Sequence, residues 1–214
     1  MADKVVLFLD YQNIYRRARD SFFSHEIDPH WRGQINPIKL GLLLVERSPF
    51  NRELLGVRVY RGLPSNLRDK VGYAAARKQI ARWQEDPRVS VVVHPLRYPN
   101  GWPNSHKEGE KPIEKGIDVS LAIDFVTMAV RNEYDIGILF SADTDLKPAI
   151  KFVDGSETGA TGEVAAWRRS TSQDGANRIN QQRISLGGNK PFCHWLDRSD
   201  YISVSDEVDY NRSR

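Results

Sequence analysis

Cysteine is almost absent from this chain: Cys193 stands alone among 214 residues. A single thiol excludes an intrachain disulfide and points to a reducing, cytoplasmic setting. Cys193 also lies between Phe192 and His194 in a stretch read as a strand, a poor place for a nucleophilic thiol. No apolar run is long enough to span a membrane. The opening Met1-Ala2-Asp3-Lys4 leads straight into a strand and does not resemble a signal peptide. The five histidines show no HxH or HExxH spacing, which argues against a histidine-bound zinc. Neither GxGxxG nor a Walker A sequence occurs, so dinucleotide and P-loop nucleotide binding have no support. A strong excess of one charge is missing too: 31 Lys and Arg face 28 Asp and Glu, for a net charge of +3. Repeats and a dividing linker are also absent. We read residues 1–205 as one domain and 206–214 as a flexible C-terminal tail.

The remaining pattern alternates strands with helices, which implies a parallel sheet with right-handed crossovers. Val5 to Leu9 is apolar without alternation, as expected of a central strand buried on both faces. A helix follows from Tyr11 to Phe23, then a polar loop from Ser24 to Asn36. Pro37 to Arg47 reads as a short helix, with proline in its first turn. Leu55 to Arg61 reads as a strand, Asn66 to Glu85 as a helix and Val89 to His94 as a strand. Lys115 to Arg131 is helical, and Ile136 to Ser141 is a second buried strand. A helix runs on to about Val153, and Gly162 to Trp167 is a fifth strand. Asp174 to Ser185 reads as a helix and Phe192 to Leu196 as a short last strand. Pro95 to Pro112 breaks the rhythm, with four prolines and two glycines. Connections this long in a compact domain are usually functional or disordered. Since it runs directly into Lys115 and Asp118, we read it as a flap beside a site.

Four carboxylates fall where such a sheet would collect them. Asp10 ends the first buried run, Asp143 and Asp145 follow the second, and Asp118 opens the helix between them. Ligands of open α/β sheets bind outside the carboxyl ends of the strands, where strand order switches. Four carboxylates gathered there repel one another unless a divalent cation joins them. Oxygen ligands without histidine or cysteine favour Mg²⁺ or Mn²⁺. Each aspartate also has a plainer use. Asp10 can cap the helix it precedes. Asp118 shares a helix face with Leu121, Ala122, Phe125 and Ala129, where it gains from the helix dipole; Asp124 lies at the edge of that face. Pro148 has to sit in a first turn, which makes Thr144 or Asp145 the expected N-cap and leaves Asp143 free for metal. Asn13 is placed to orient Asp10, a metal-bound water or a phosphate oxygen. A phosphatase of the haloacid dehalogenase type needs a second Asp two residues after the first, and Gln12 occupies that place.

Three blocks carry a family resemblance: Phe8-Leu9-Asp10-Tyr11-Gln12-Asn13, Lys115-Gly116-Ile117-Asp118-Val119-Ser120-Leu121-Ala122-Ile123-Asp124, and Ser141-Ala142-Asp143-Thr144-Asp145-Leu146-Lys147-Pro148. In this order they resemble the signature blocks of NYN domains, the LabA-like (DUF88) branch of the PIN-like nuclease superfamily. Asp200-Tyr201-Ile202 is similar to the family's ending. Ala142 stands where a glycine is usual and Leu146 where an aromatic is usual, which touches loop geometry more than chemistry. The resemblance implies a Rossmann-like three-layer αβα fold with a mainly parallel sheet ordered 3-2-1-4-5. It implies an Mg²⁺- or Mn²⁺-dependent endoribonuclease with metal held by Asp10, Asp118, Asp143 and Asp145, supported by Asn13. RNA, single-stranded, is the expected partner, with a protein partner or self-association left open and no membrane. Lys115, Arg97, Lys107, Lys111, Arg168 and Arg169 are candidate backbone contacts, and Trp102, Tyr98 and His106 candidate stacking groups. The competing expectation is a non-catalytic RNA- or protein-binding module that keeps the fold.

Overall fold

The apolar run after Lys4 folds as strand β1 (Asp3–Asp10), buried from Val5 onward, in a computed structural model that describes residues 1–105, 107–155, 158–168 and 191–212. β1 lies inside a six-stranded sheet with β2 (Arg52–Leu63), β3 (Val89–Pro95), β4 (Ile136–Phe140), β5 (Thr161–Trp167) and β6 (Cys193–Leu196). The strand order is β3-β2-β1-β4-β5-β6, and every neighbouring pair is parallel. The expected order 3-2-1-4-5 is therefore present, with β6 added beyond β5.

Alternate residues of β1 divide the core into two layers, as the period of a strand requires. Val5, Leu7 and Leu9 face one layer, with α1 (Tyr11–Phe22), α2 (Pro37–Glu46), α3 (Lys70–Trp83) and α6 (Arg198–Val204). Val6 and Phe8 face the other, with α4 (Ile117–Val130) and α5 (Lys147–Gly155). Glycine sets the closeness of α4: a Cβ on Gly137 of β4 would stand 2.7 Å from the Phe125 ring. The missing side chain lets that helix lie tight against the sheet.

Three readings are adjusted. The helix expected from Asn66 begins at Lys70, because Asp69 caps it through the Gly72 N–H. α6 was not expected. It is only seven residues long and owes its start to a capping box in which Asp197 and Asp200 satisfy each other's backbone. The segment read as a tail is tied down over its described part: Tyr210 is buried and donates to Asp206 at 2.7 Å, and the Asp206 N–H donates to the Gln34 carbonyl. The helix read over Asp174 to Ser185 lies outside the described residues.

A buried ionic group crosses the sheet. Arg52 makes two hydrogen bonds to Glu163, at 2.8 and 2.6 Å, and His194 meets the same carboxylate at 2.7 Å. The three side chains are 3%, 4% and 7% exposed. Burial alone would raise the Glu163 carboxyl, but hydrogen bonds from His194 and Arg52 outweigh it and hold the pKa below its usual value. A depressed carboxyl stabilises the fold above its unfolded value of about 4.3, and that contribution is lost as pH falls through the folded pKa. Removing one partner strands a buried charge. Arg52→Ala is therefore expected to cost about 3–5 kcal/mol in urea unfolding near neutral pH. As pH falls below about 4.3 wild type should lose more stability than Glu163→Gln; parallel curves would show that the carboxylate contributes nothing.

Candidate active site

β1 hands the chain to β2 and β3 on one side, while β4, β5 and β6 lie on the other. The crevice at the carboxyl end of β1 and β4 is thus the switch point of the sheet, where ligands of such folds bind. Asp10 ends β1 opposite Tyr60 of β2. Leu9 pairs with Phe140, so Asp10 and Ser141 leave the sheet side by side.

Asp10 is 8% exposed. Its Oδ1 accepts the Asn13 N–H at 3.2 Å, so it does cap α1, and its Oδ2 accepts the Ser141 hydroxyl at 3.1 Å. Burial pushes its pKa up to about 6. The Asn13 and Ser141 hydrogen bonds pull the other way, while the charges of Glu114 and Asp143 add to the rise. Asn13 also accepts the Ala142 N–H at 3.1 Å. One residue therefore ties the end of β1 to the turn after β4.

That turn corrects an expectation. A single 3-10 turn, Thr144–Leu146, separates β4 from α5. Asp143 is its cap, accepting the Asp145 N–H at 2.9 Å, so Asp143 does have a structural task and Asp145 is not the cap. The extra turn places Pro148 second in α5, which removes the steric reason for moving the cap forward. Asp143 is half-buried beside Asp10, and Asp145 is exposed.

Asp118 stands half-buried in the first turn of α4. Gly116 precedes it with φ of 77°, a conformation that favours glycine. No side chain caps this helix start, which leaves its N–H groups and dipole to Asp118. Leu121, Phe125 and Ala129 form the buried face, as expected. Asp124 is engaged elsewhere, accepting from Arg58 and Tyr60 at 2.7 Å each.

Glu114 was missed. It ends the proline-rich connection, and its carboxylate accepts the Gly62 N–H at the end of β2. With its amide nitrogen turned toward Glu114, Gln12 donates to the same oxygen at 3.2 Å and accepts from Arg16 at 2.6 Å. Burial raises the Glu114 carboxyl above its usual value, against the Gly62 hydrogen bond and the charges of Arg61 and Arg16. Its one signal in the sequence was its place just before Lys115-Gly116-Ile117-Asp118. The connection itself closes on an antiparallel bridge between Arg97 and Ile113, and Tyr98 anchors it by accepting the Ser65 N–H at 2.9 Å.

The basic candidates are spread along the rim. Arg97, Lys107, Lys111 and Lys115 are exposed, and Trp102 is partly buried 6.0 Å from the Tyr98 ring. Exposed Arg168 follows β5 and stacks on Trp195. Arg169 and His106 lie outside the described residues.

Among the described residues, no three His, Cys, Asp or Glu side chains converge to metal-holding distance. The expected gathering is thus partial. Glu114 and Asp143 both act on Asp10 electrostatically, and each of the three carboxylates accepts a backbone hydrogen bond of its own, from Asn13, Gly62 and Asp145.

The family model for the NYN domain matches residues 4–181. No curated protein matches this chain in sequence. A crystal structure of a protein of unknown function from Vibrio parahaemolyticus superimposes with a TM-score of 0.53 at 16% identity, covering 92% of this chain and 94% of that one. It shares the fold. A Glycyrrhiza uralensis protein complexed with glycyrrhetinic acid 3-O-monoglucuronide superimposes with a TM-score of 0.34 at 12% identity, over 78% of this chain and 28% of that one.

A raised carboxyl pKa means that Asp10 favours the fold only while it is protonated. That contribution is complete below about 3.8 and is lost as pH rises through about 6. In metal-free buffer near pH 8, Asp10→Asn is expected to stabilise the protein by up to about 3 kcal/mol. Asparagine caps a helix as well as aspartate, so the gain should shrink toward pH 4. Thermal unfolding across pH tests it, and a variant less stable than wild type near pH 8 refutes it.

Proposed function

Because the chain belongs to the NYN domain family, within the PIN-like nucleases, we propose that it is a metal-dependent endoribonuclease acting at the crevice of Asp10, Asp118 and Asp143. The observation that carries this reading is Asp10. Its carboxylate is buried at the switch point with Glu114 and Asp143 beside it, and burial and charge both work against its ionisation. A site built only for RNA affinity gains nothing from concentrated negative charge.

The donors fit a hard cation. All are carboxylate oxygens, which favour Mg²⁺ or Mn²⁺. Asp10, Asp143 and Asp118 would hold the ion, with Glu114 completing the oxygen set and Asp145 reaching it from the exposed side of the turn. When bound, such an ion lowers the pKa of water and stabilises the leaving oxygen of a phosphoester. The remaining work belongs to the chain. Asn13 fixes the turn that bears Asp143 by accepting the Ala142 N–H, and Ser141 orients Asp10 by donating to Oδ2. Gly62 and Gln12 hold Glu114 toward the crevice. Lys115, Arg97, Lys107 and Lys111 supply positive charge for an RNA backbone, Arg168 does the same at the end of β5 with Arg169 next to it in sequence, and Trp102 offers a ring for an unpaired base. Among the described residues no helix is long and apolar enough to cross a membrane. With its single thiol, the chain fits work on RNA in the cytoplasm.

A labelled single-stranded RNA, incubated with wild type and Asp143→Asn in Mn²⁺, Mg²⁺ or EDTA, tests the reading. Cleavage should require metal and fall at least about a hundredfold in Asp143→Asn, on the scale set by groups that stabilise charge in the transition state. Equal behaviour of the two proteins sinks the nuclease reading and favours a binding module. Glu114→Gln separates the new member of the set from a bystander. It should lower kcat by about tenfold or more with RNA affinity retained, and an unchanged kcat would remove Glu114 from the machinery.

A further inference from the structure

Beside the carboxylate crevice lies a cleft of about 220 Å³ between α1, α3 and the segment that carries Tyr210. It falls below the ~300–1,000 Å³ of most ligand pockets, which suits one small planar group. The two sites adjoin. Tyr11 and Gln12, which line the cleft, follow Asp10 directly. Arg61, also lining it, follows Tyr60, the residue paired with Asp10. Glu114 lies between, close enough for its charge to act on both Asp10 and Arg61.

The chemistry of the cleft is the opposite of its neighbour's. Among the described residues no Asp or Glu lines it, although buried Asp206 stands behind Tyr210 and accepts its hydroxyl at 2.7 Å. Arg61 sits over the Tyr11 ring at 5.2 Å and the Trp83 ring at 5.4 Å. Its Nη1 donates to Gln79 at 2.7 Å, and its Nε is buried with no partner. Among the described residues no carboxylate is within ion-pair distance of it. Burial lowers its pKa from the usual value, yet a guanidinium stays charged. Arg61 is half-buried, with the charge of Glu114 near it but no carboxylate paired to it, so its guanidinium is available to an anion. The surrounding network is rich in donors as well. Gln79 donates to the Tyr11 hydroxyl at 2.9 Å and to Gln34 Oε1 at 2.7 Å. That leaves the Tyr11 proton and the Gln34 amide hydrogens free to meet a ligand.

We propose that this cleft binds one nucleotide of the RNA beside the cleaved bond, with Arg61 taking its phosphate and Tyr11, Gln34 and Tyr210 lining the seat of its base. The inference rests on the nuclease reading for its substrate and extends it to residues outside the carboxylate set. With its ring closed in by Trp83 and Arg61, Tyr11 would meet a base edge through its hydroxyl, and amide side chains can read a base edge as well.

Calorimetric titration of the full chain in EDTA with the four nucleoside 5′-monophosphates, and with inorganic phosphate as control, reads the cleft without any metal. At least one nucleotide should bind, and inorganic phosphate should bind about tenfold more weakly than it does. Arg61→Gln should weaken that nucleotide by about tenfold or more. Ala75→Phe, which fills the cleft from a partly exposed position on α3, should do the same, and it carries the test if Arg61→Gln does not fold. In cleavage assays Ala75→Phe should raise KM with kcat little changed. Absence of nucleotide binding, or equal affinity in wild type and Ala75→Phe, overturns the proposal. Nucleotide binding without cleavage would leave the cleft standing and remove the nuclease reading. Metal-dependent cleavage with an unaltered KM in Ala75→Phe would do the reverse.

Discussion

β1 pairs in parallel with β2 on one side and β4 on the other, and the position of every candidate group depends on that double pairing. It puts Asp10 opposite Tyr60 and alongside Ser141. The carboxyl ends of three strands then share one crevice, and each contributes through residues at or just past its end. β1 contributes Asp10 and Asn13, and β4 the turn through Asp143. β2 contributes Gly62, whose N–H fixes Glu114. A slip of one residue between β1 and β4 would reverse which side chains of β1 face each layer. Val6 and Phe8 would exchange places with Leu7, and Asp10 would point away from Ser141.

The crevice stores electrostatic tension that the remainder of the fold must support. A buried carboxylate with two others near it opposes folding at neutral pH. The counterweight lies in the two apolar layers. The contrast between the two buried acids is instructive. Glu163 meets Arg52 and His194 and is held as a carboxylate. Asp10 meets only a backbone N–H and a hydroxyl and is pushed toward its protonated form. A buried carboxyl group is a structural anchor in one place and a strained acid in the other, because only Glu163 has cations for partners.

Much of this could be read from the residues. β1 and β4 announced themselves as apolar runs without alternation, and Asp10 and Asp143 follow from where those runs stop. The NYN resemblance supplied the order of the first five strands. Local ambiguity hid the turn at Thr144–Leu146: Asp143, Thr144 and Asp145 can all cap, and sequence alone does not choose among them. α6 was hidden by its length, since seven residues give too little periodicity and its start depends on the Asp197–Asp200 box. Glu114 was hidden by its setting. A connection with four prolines looks like an insertion until its last residues dock against β2.

The cleft around Arg61 was the least legible part, and the reason is physical. Its lining comes from α1, the loop before α2, the end of β2, α3 and the segment after α6, so no local pattern could encode it. In sequence, Arg61 is an ordinary cation ending an alternating strand. Only the folded chain shows it half-buried over two aromatic rings with, among the described residues, no carboxylate paired to it. The charge of Glu114 acts on it and also on Asp10, so one carboxylate bears on both sites. A cation bound in the crevice would draw on Glu114 and leave Arg61 less compensated. The pull of the cleft on a phosphate would then strengthen when the neighbouring crevice is loaded. Under the proposed function, opposite charges set side by side across Glu114 would give a polyanion one place to be cut and an adjoining place to be held.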